Sequence, residues 1–158
     1  MPGRYGLNDG QGRPIMFGKK KRHIARILVV EDEPLVAFDT EHFLTSEGFK
    51  IVATVDSVKA ALRELAKERQ LDLVLLDVEL ADGDGVEVAR AAHARGVPVL
   101  FVTARCPEDA AALAAGCLAK PHPQRDLVAA IDAIDAVASG GKPPRRLPER
   151  LVLFGATA

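Results

Sequence analysis

Four places in the chain put a polar group directly after an apolar run. Glu31-Asp32 follows Ile27-Leu-Val-Val30, and Asp77 follows Leu73-Val-Leu-Leu76. Thr103 closes the run that starts at Val97, and Lys120 follows Cys117-Leu-Ala119. Three carboxylates drawn into one crevice would repel one another, at roughly 3 kcal/mol per pair for a separation of about 5 Å and an effective dielectric near 20. A hard divalent cation removes that cost, and an oxygen-only ligand set suits Mg²⁺. Lys120 adds one positive charge, which leaves room for an anion, and a phosphoryl group fits. An Asp carboxylate can act as the nucleophile and form an acyl phosphate. The cation and Lys120 would neutralise charge on the transferring group, and the Thr103 hydroxyl would donate to one of its oxygens. Taken singly, each residue has an ordinary alternative. Glu31-Asp32 could cap a helix entered at Pro34, Asp77 could be a turn residue, and Thr103 and Lys120 could be unexceptional.

The elements that must position these groups follow from periodicity. Continuous apolar runs at Ile27–Val30, Ile51–Val55, Leu73–Leu76 and Val97–Val102, with a weaker one at Cys117–Ala119, suit strands covered on both faces. Helical spacing fills the gaps. Val36, Phe43 and Leu44 share one face, and so do Val58, Leu62 and Leu65. Gly85, Val88, Ala89 and Ala92 form a small-residue face, and Leu127, Ile131, Ile134 and Ala138 a long amphipathic one. A shorter helix is expected from Pro107, with Glu108 and Asp109 at its positive end. Strand and helix therefore alternate five times. This implies an α/β fold with a five-stranded parallel, doubly wound sheet in the flavodoxin-like order 2-1-3-4-5. In such a sheet, ligands bind beyond the carboxyl ends of the strands, which is where the polar groups fall.

The 158 residues suffice for one domain with short flanks. Residues 1–23 carry six basic groups and one acid, and residues 139–158 carry four and one. The span 24–138 carries 11 basic and 20 acidic groups. The expected organisation is a flexible basic leader at 1–23, a domain at 24–138 and a C-terminal tail at 139–158. The tail ends in Leu151-Val-Leu-Phe154, which reads as an added strand, a docking segment or a disordered end. The acidic body argues against nucleic acid as the main partner. No apolar run is long enough to cross a membrane and no signal-peptide pattern opens the chain, so a cytoplasmic location is expected. The two cysteines, Cys106 and Cys117, are too few for a disulfide framework and read as small hydrophobes in a reducing compartment.

The segments Ile27-Leu-Val-Val-Glu-Asp-Glu-Pro34, Leu73-Val-Leu-Leu-Asp77, Val102-Thr-Ala104 and Leu118-Ala-Lys-Pro121 resemble those of the receiver domain of two-component response regulators. The resemblance covers about residues 24–138. It implies that Asp77 is the phosphoacceptor, that Thr103 and Lys120 bind the phosphoryl group, and that the Lys120–Pro121 bond is cis. It further implies a Mg²⁺ ion held by Asp32 and Asp77, by Glu31 through water, and by the backbone carbonyl of Glu79. The implied partner is a histidine kinase or phosphotransfer protein. Output would then run through protein contact or by drawing phosphate from a shared kinase, with no enzymatic activity beyond the chain's own phosphoryl transfer. The expectation is a stand-alone receiver. The stretch Pro98-Val-Leu-Phe-Val-Thr-Ala-Arg105 is partly similar to an alphaproteobacterial single-domain subgroup, in Pro98, Phe101 and Thr103. A homodimer, through the last helix or through Leu151–Phe154 on a neighbour's sheet edge, is left open.

Two positions depart from the family pattern. Receivers usually place Tyr or Phe three residues before the lysine, where this chain has Cys117, so an altered output face is expected at this switch position. Glu79 and Arg105, each two residues past a site residue, are candidate gates that would pair across the phosphoryl entrance and set the lifetime of the phospho-form. The residues admit two other readings. An interaction module that works without phosphorylation is favoured by Cys117 and opposed by the complete site. An aspartyl phosphatase wants Asp-x-Asp where this chain has Asp77-Val-Glu79. The Gly12 to Gly18-Lys19 stretch misses the phosphate-loop spacing. Asp82-Gly-Asp-Gly85 lacks the ligand set of a calcium loop and reads as the turn before a helix.

Overall fold

Buried strand runs organise the molecule, whose computed structural model describes residues 22–155. Strands β1 (Arg26–Val30), β2 (Lys50–Val55), β3 (Leu73–Leu76), β6 (Val99–Thr103) and β7 (Gly116–Ala119) pair in parallel in the order β2-β1-β3-β6-β7. This is the expected flavodoxin-like order, with consecutive parallel strands numbered through two short extra strands. Those two, β4 (Glu79–Leu80) and β5 (Gly83–Asp84), form a small antiparallel hairpin just past β3.

Period-two alternation divides each central strand between two cores. Leu28, Val30, Val74, Leu76, Val99 and Phe101 face helices α2 (Val58–Ala66) and α3 (Val86–Ala94). Ile27, Val29, Leu73, Leu75, Leu100 and Leu118 face α1 (Pro34–Ser46) and α4 (Gln124–Ala138). Burial of each such side chain is worth about 1.5–3 kcal/mol, so the strands are fixed from both sides. Pro34 occupies the first turn of α1, where its missing N–H costs nothing. The Ser57 hydroxyl caps α2 by accepting from the Ala60 amide at 3.0 Å. Asp82 adds to that cap from the hairpin, accepting from the Val58 and Lys59 amides at 2.7 and 3.2 Å. Asp82, expected in the turn before a helix, thereby ties the loop after β3 to α2.

The element expected from Pro107 is a 3-10 helix, Glu108–Leu113, not an α-helix. Only six residues are available, and among them only Ala110 is buried. Alanines offer too little apolar surface to hold a full α-helical turn against the sheet.

Beyond α4, Gly140 takes φ +87° and the Gly141 amide donates to the Ala136 carbonyl at 2.8 Å, which ends the helix and turns the chain. The chain returns as β8 (Leu151–Leu153), antiparallel to β7. Leu151 and Leu153 pack into the α1/α4 core, and Phe154 packs against the α2/α3 core. The segment therefore covers the edge of its own sheet. A Cβ on Gly116 would come within 2.8 Å of the Val152 carbonyl oxygen, so this close approach requires glycine.

Of the expected leader, residues 1–21 lie outside the described residues. Arg22 and His23 are anchored. Arg22 Nε donates to Asp132 at 2.7 Å, and the guanidinium lies 4.6 Å from the centre of the Phe49 ring. Buried Asp135 accepts from the His23 and Ile24 amides at 2.8 and 2.9 Å. Asp72 does the same for Ala25 and Arg26 at 3.0 and 2.9 Å. For both acids burial pushes the carboxyl up, but the amide hydrogen bonds outweigh it and hold the group below its ordinary range.

Candidate functional site

The ends of β1, β3, β6 and β7 bring their polar residues into one crevice. Asp77 is its centre, and both of its carboxylate oxygens are engaged. Thr103 Oγ1 and the Glu79 amide donate to Oδ1 at 3.0 and 3.1 Å. Lys120 Nζ donates to Oδ2 at 3.1 Å and to Glu31 Oε1 at 2.6 Å. Glu31 also accepts from the Glu33 amide at 3.2 Å, so it closes the turn into α1 as well as lining the site. Asp77, Glu31 and Thr103 are buried, and Asp32 is half-buried.

Local sequence explains the placement. Parallel pairing aligns Val30 with Leu76, so Glu31 and Asp77 follow at one level, and it aligns Thr103 with Ala119, so Lys120 comes one residue beyond Thr103. Gly85 lies against the backbone of Asp77 and Val78. A Cβ there would overlap the Asp77 carbonyl and come within 2.9 Å of the Val78 Cα. The Lys120–Pro121 bond is cis, as the resemblance implies.

Electrostatics set the state of the site. Burial raises the Glu31 carboxyl above its ordinary range, and Lys120 offsets only part of this. Burial alone would lower Lys120, but its hydrogen bonds to Glu31 and Asp77 prevail and raise it, so the ammonium stays charged. Among the described residues, Lys120 alone thus serves two of the three carboxylates. Asp32 makes no side-chain hydrogen bond among the described residues. Ligand oxygens of Glu31, Asp32 and Asp77 lie within 4.8 Å of one another. An all-oxygen cluster with excess negative charge fits a hard divalent cation.

Two expectations are corrected here. Cys106 and Cys117 are not free small hydrophobes; they form a disulfide, with Cα atoms 6.0 Å apart. The loop after β6 folds back over the strand, which brings together residues that composition alone leaves unpaired. Cys117, expected as a switch position, therefore carries a bonded sulfur. Glu79 and Arg105 form no ion pair; they line the same open groove beside Cys106.

Residues 27–132 match the response regulator receiver domain family, and the chain belongs to it. It is a domain of two-component signal transduction. It is 35% identical over 113 residues to the transcriptional regulatory protein PdtaR of Mycobacterium tuberculosis, covering 68% of this chain and 55% of that protein. It is 36% identical over 80 residues to the TorCAD operon transcriptional regulatory protein TorR of Escherichia coli, covering 50% and 34%. The chain thus spans about a third to a half of the length of these relatives. Among solved structures, a CheY-like receiver domain protein from Methanospirillum hungatei aligns with TM-score 0.65 at 25% identity, over 75% of this chain and 99% of that one. A receiver protein from Sinorhizobium medicae aligns with TM-score 0.61 at 25% identity, over 71% and 94%.

Proposed function

We propose that the chain is a phosphoacceptor switch and that Asp77 takes the phosphoryl group. The observation that carries this is the Asp77 carboxylate held between Lys120 Nζ and Thr103 Oγ1 beside two further carboxylates. The donor is a phosphohistidine of a kinase or phosphotransfer protein, or a small acyl phosphate. An Asp77 oxygen attacks phosphorus, the donor's P–N or P–O bond breaks, and the leaving group departs with the electron pair. Lys120 shifts from the carboxylate to a phosphoryl oxygen, and Thr103 donates to another. Glu31, Asp32, Asp77 and the Glu79 carbonyl would hold Mg²⁺, which supplies charge neutralisation on the transferring group. The chain's own chemistry ends at this transfer and its hydrolysis.

Residues 24–138 form the switch under this reading, and the segment 139–158 adds β8 to the edge of its sheet. Output runs through protein contact or through depletion of a shared phosphate donor. Pro98, Phe101 and Thr103 support a relationship to alphaproteobacterial single-domain receivers. Among the described residues no helix is long and apolar enough to cross a membrane, which agrees with a cytoplasmic role. The test is intact mass after incubation with Mg²⁺ and a small acyl phosphate. One added phosphoryl group, absent in Asp77→Asn and lost on chelation, supports the reading. Equal uptake by Asp77→Asn contradicts it.

A further inference from the structure

The disulfide is placed where it can act on the site. Cys106 lies three residues after Thr103, and Cys117 three residues before Lys120. The bond therefore joins the backbones that carry both phosphoryl-binding side chains. In the strand register Cys117 pairs with Phe101 on one side and Val152 on the other, so its own position is fixed by the sheet. What the bond restrains is the loop 104–107. Both oxygens of Asp77 are already occupied, Oδ1 by Thr103 and Oδ2 by Lys120. A phosphoryl group added to either oxygen forces at least one of these donors to re-aim, and Thr103 leads directly into the tethered loop.

The sulfurs also differ in access. Cys117 is fully buried, whereas Cys106 is half-buried and lines an open groove of about 720 Å³ with Val78, Glu79 and Arg105. Cys106 borders this groove, so a small thiol entering it meets that residue first, among Arg105 and the acids Glu79, Glu108 and Asp109.

We propose that Cys106–Cys117 is a reversible redox modification site, and that the oxidised form disfavours the phosphoryl-bound state at Asp77. This rests on Asp77 being the phosphoacceptor. The co-reactant is a thiol. Its thiolate attacks Cys106 Sγ, the S–S bond breaks, and the electron pair goes to Cys117 Sγ, which takes a proton. A second thiolate attacks the thiol's sulfur in the mixed disulfide and releases Cys106 as a thiolate, which is also protonated. The net change is one protein disulfide and two thiols to two protein thiols and one small disulfide, so the protein is reduced by two electrons and the small thiols are oxidised. Reduction frees the loop 104–107 and lets Thr103 re-aim.

Binding linkage makes the effect reciprocal: whatever factor the disulfide costs the phosphoryl analogue, the analogue costs the disulfide. The experiment is a beryllofluoride titration with Mg²⁺ present, on oxidised and on dithiol-reduced protein, with Cys106→Ser beside them. The expected result is about tenfold tighter binding by the reduced protein, within the range usual for coupled sites. Cys106→Ser should match the reduced protein in the presence and absence of reductant. In a glutathione redox series read by alkylation and intact mass, beryllofluoride should make the disulfide easier to reduce by the same factor, about 30 mV for a two-electron couple. Equal affinity in both redox states overturns the redox coupling and leaves the phosphoacceptor reading standing. Absence of binding in both states overturns the phosphoacceptor reading, and the coupling with it.

Discussion

The strand-end crevice and the outer edge of β7 are held in different ways. In the crevice, Glu31, Asp32, Asp77, Thr103 and Lys120 converge because parallel strands place consecutive ends at one level. Each residue is set by its own strand, and its neighbours there are polar. At the β7 edge the determinants are pairings between distant segments: Cys106 with Cys117, Gly116 with the Val152 carbonyl, and Phe154 with the α2/α3 core. The first region is built for charge and exchange of ligands. The second is sealed by a covalent bond and an added strand. Chemistry and restraint thus lie at the two ends of the same strand, with Lys120 just past one end of β7 and Gly116 at the other.

The sharpest way to break this contrast is in the crevice. Lys120→Ala removes the ammonium that hydrogen-bonds both Glu31 and Asp77, and the rate of phosphoryl uptake should fall by about a hundredfold. Uptake kinetics by intact mass check this; a drop of less than about threefold would mean that the crevice does not depend on its cation as described.

An edge substitution should behave in the opposite way. Gly116→Val drives a side chain into the Val152 carbonyl and should cost about 1–3 kcal/mol of stability, read by denaturant unfolding. Phosphoryl uptake should persist, because Asp77, Thr103 and Lys120 keep their mutual contacts. Loss of uptake without loss of stability would merge the two regions into one.

A third test concerns the end opposite the crevice, where Asp72 and Asp135 pin the chain into β1. Their folded carboxyls lie below the ordinary range, so the folded state binds fewer protons than the unfolded one in that window. The stabilisation is present at neutral pH. It is lost as pH falls from the ordinary carboxylate range, near about 4, through the depressed folded values. Asp135→Ala leaves the His23 and Ile24 amides unpaired. It should cost about 1–3 kcal/mol at neutral pH and flatten the acid limb of a stability profile. An unchanged acid limb would remove Asp135 from this role.

The smallest effect is expected at the groove rim. Arg105→Ala removes an exposed charge that is not paired with Glu79, so dephosphorylation should change by less than about fivefold. A larger change in a chase experiment would restore the gate that the spacing of Glu79 and Arg105 suggests.

The crevice was legible because each of its residues follows an apolar run, and a parallel sheet needs no further information to align strand ends. The order of the five strands came from the same alternation. The β7 edge was not legible for physical reasons. Cys106 and Cys117 meet only because a six-residue 3-10 helix folds the loop back, and nothing in two isolated cysteines encodes that turn. Asp135 serves amides more than a hundred residues away, at His23 and Ile24, and such a cap has no local signature. The three residues of β8 follow a proline-rich stretch, and whether they pair depends on the glycine at 116, far from them in sequence.

Chemical trapping identifies the phosphorylated residue. After incubation with Mg²⁺ and a small acyl phosphate, borohydride reduces an aspartyl phosphate to homoserine, and peptide mass locates the altered residue. Homoserine is expected at position 77 and at no other aspartate, with none formed in Asp77→Asn. Conversion at another carboxylate, or uptake of phosphate with Asp77 unaltered, would contradict it.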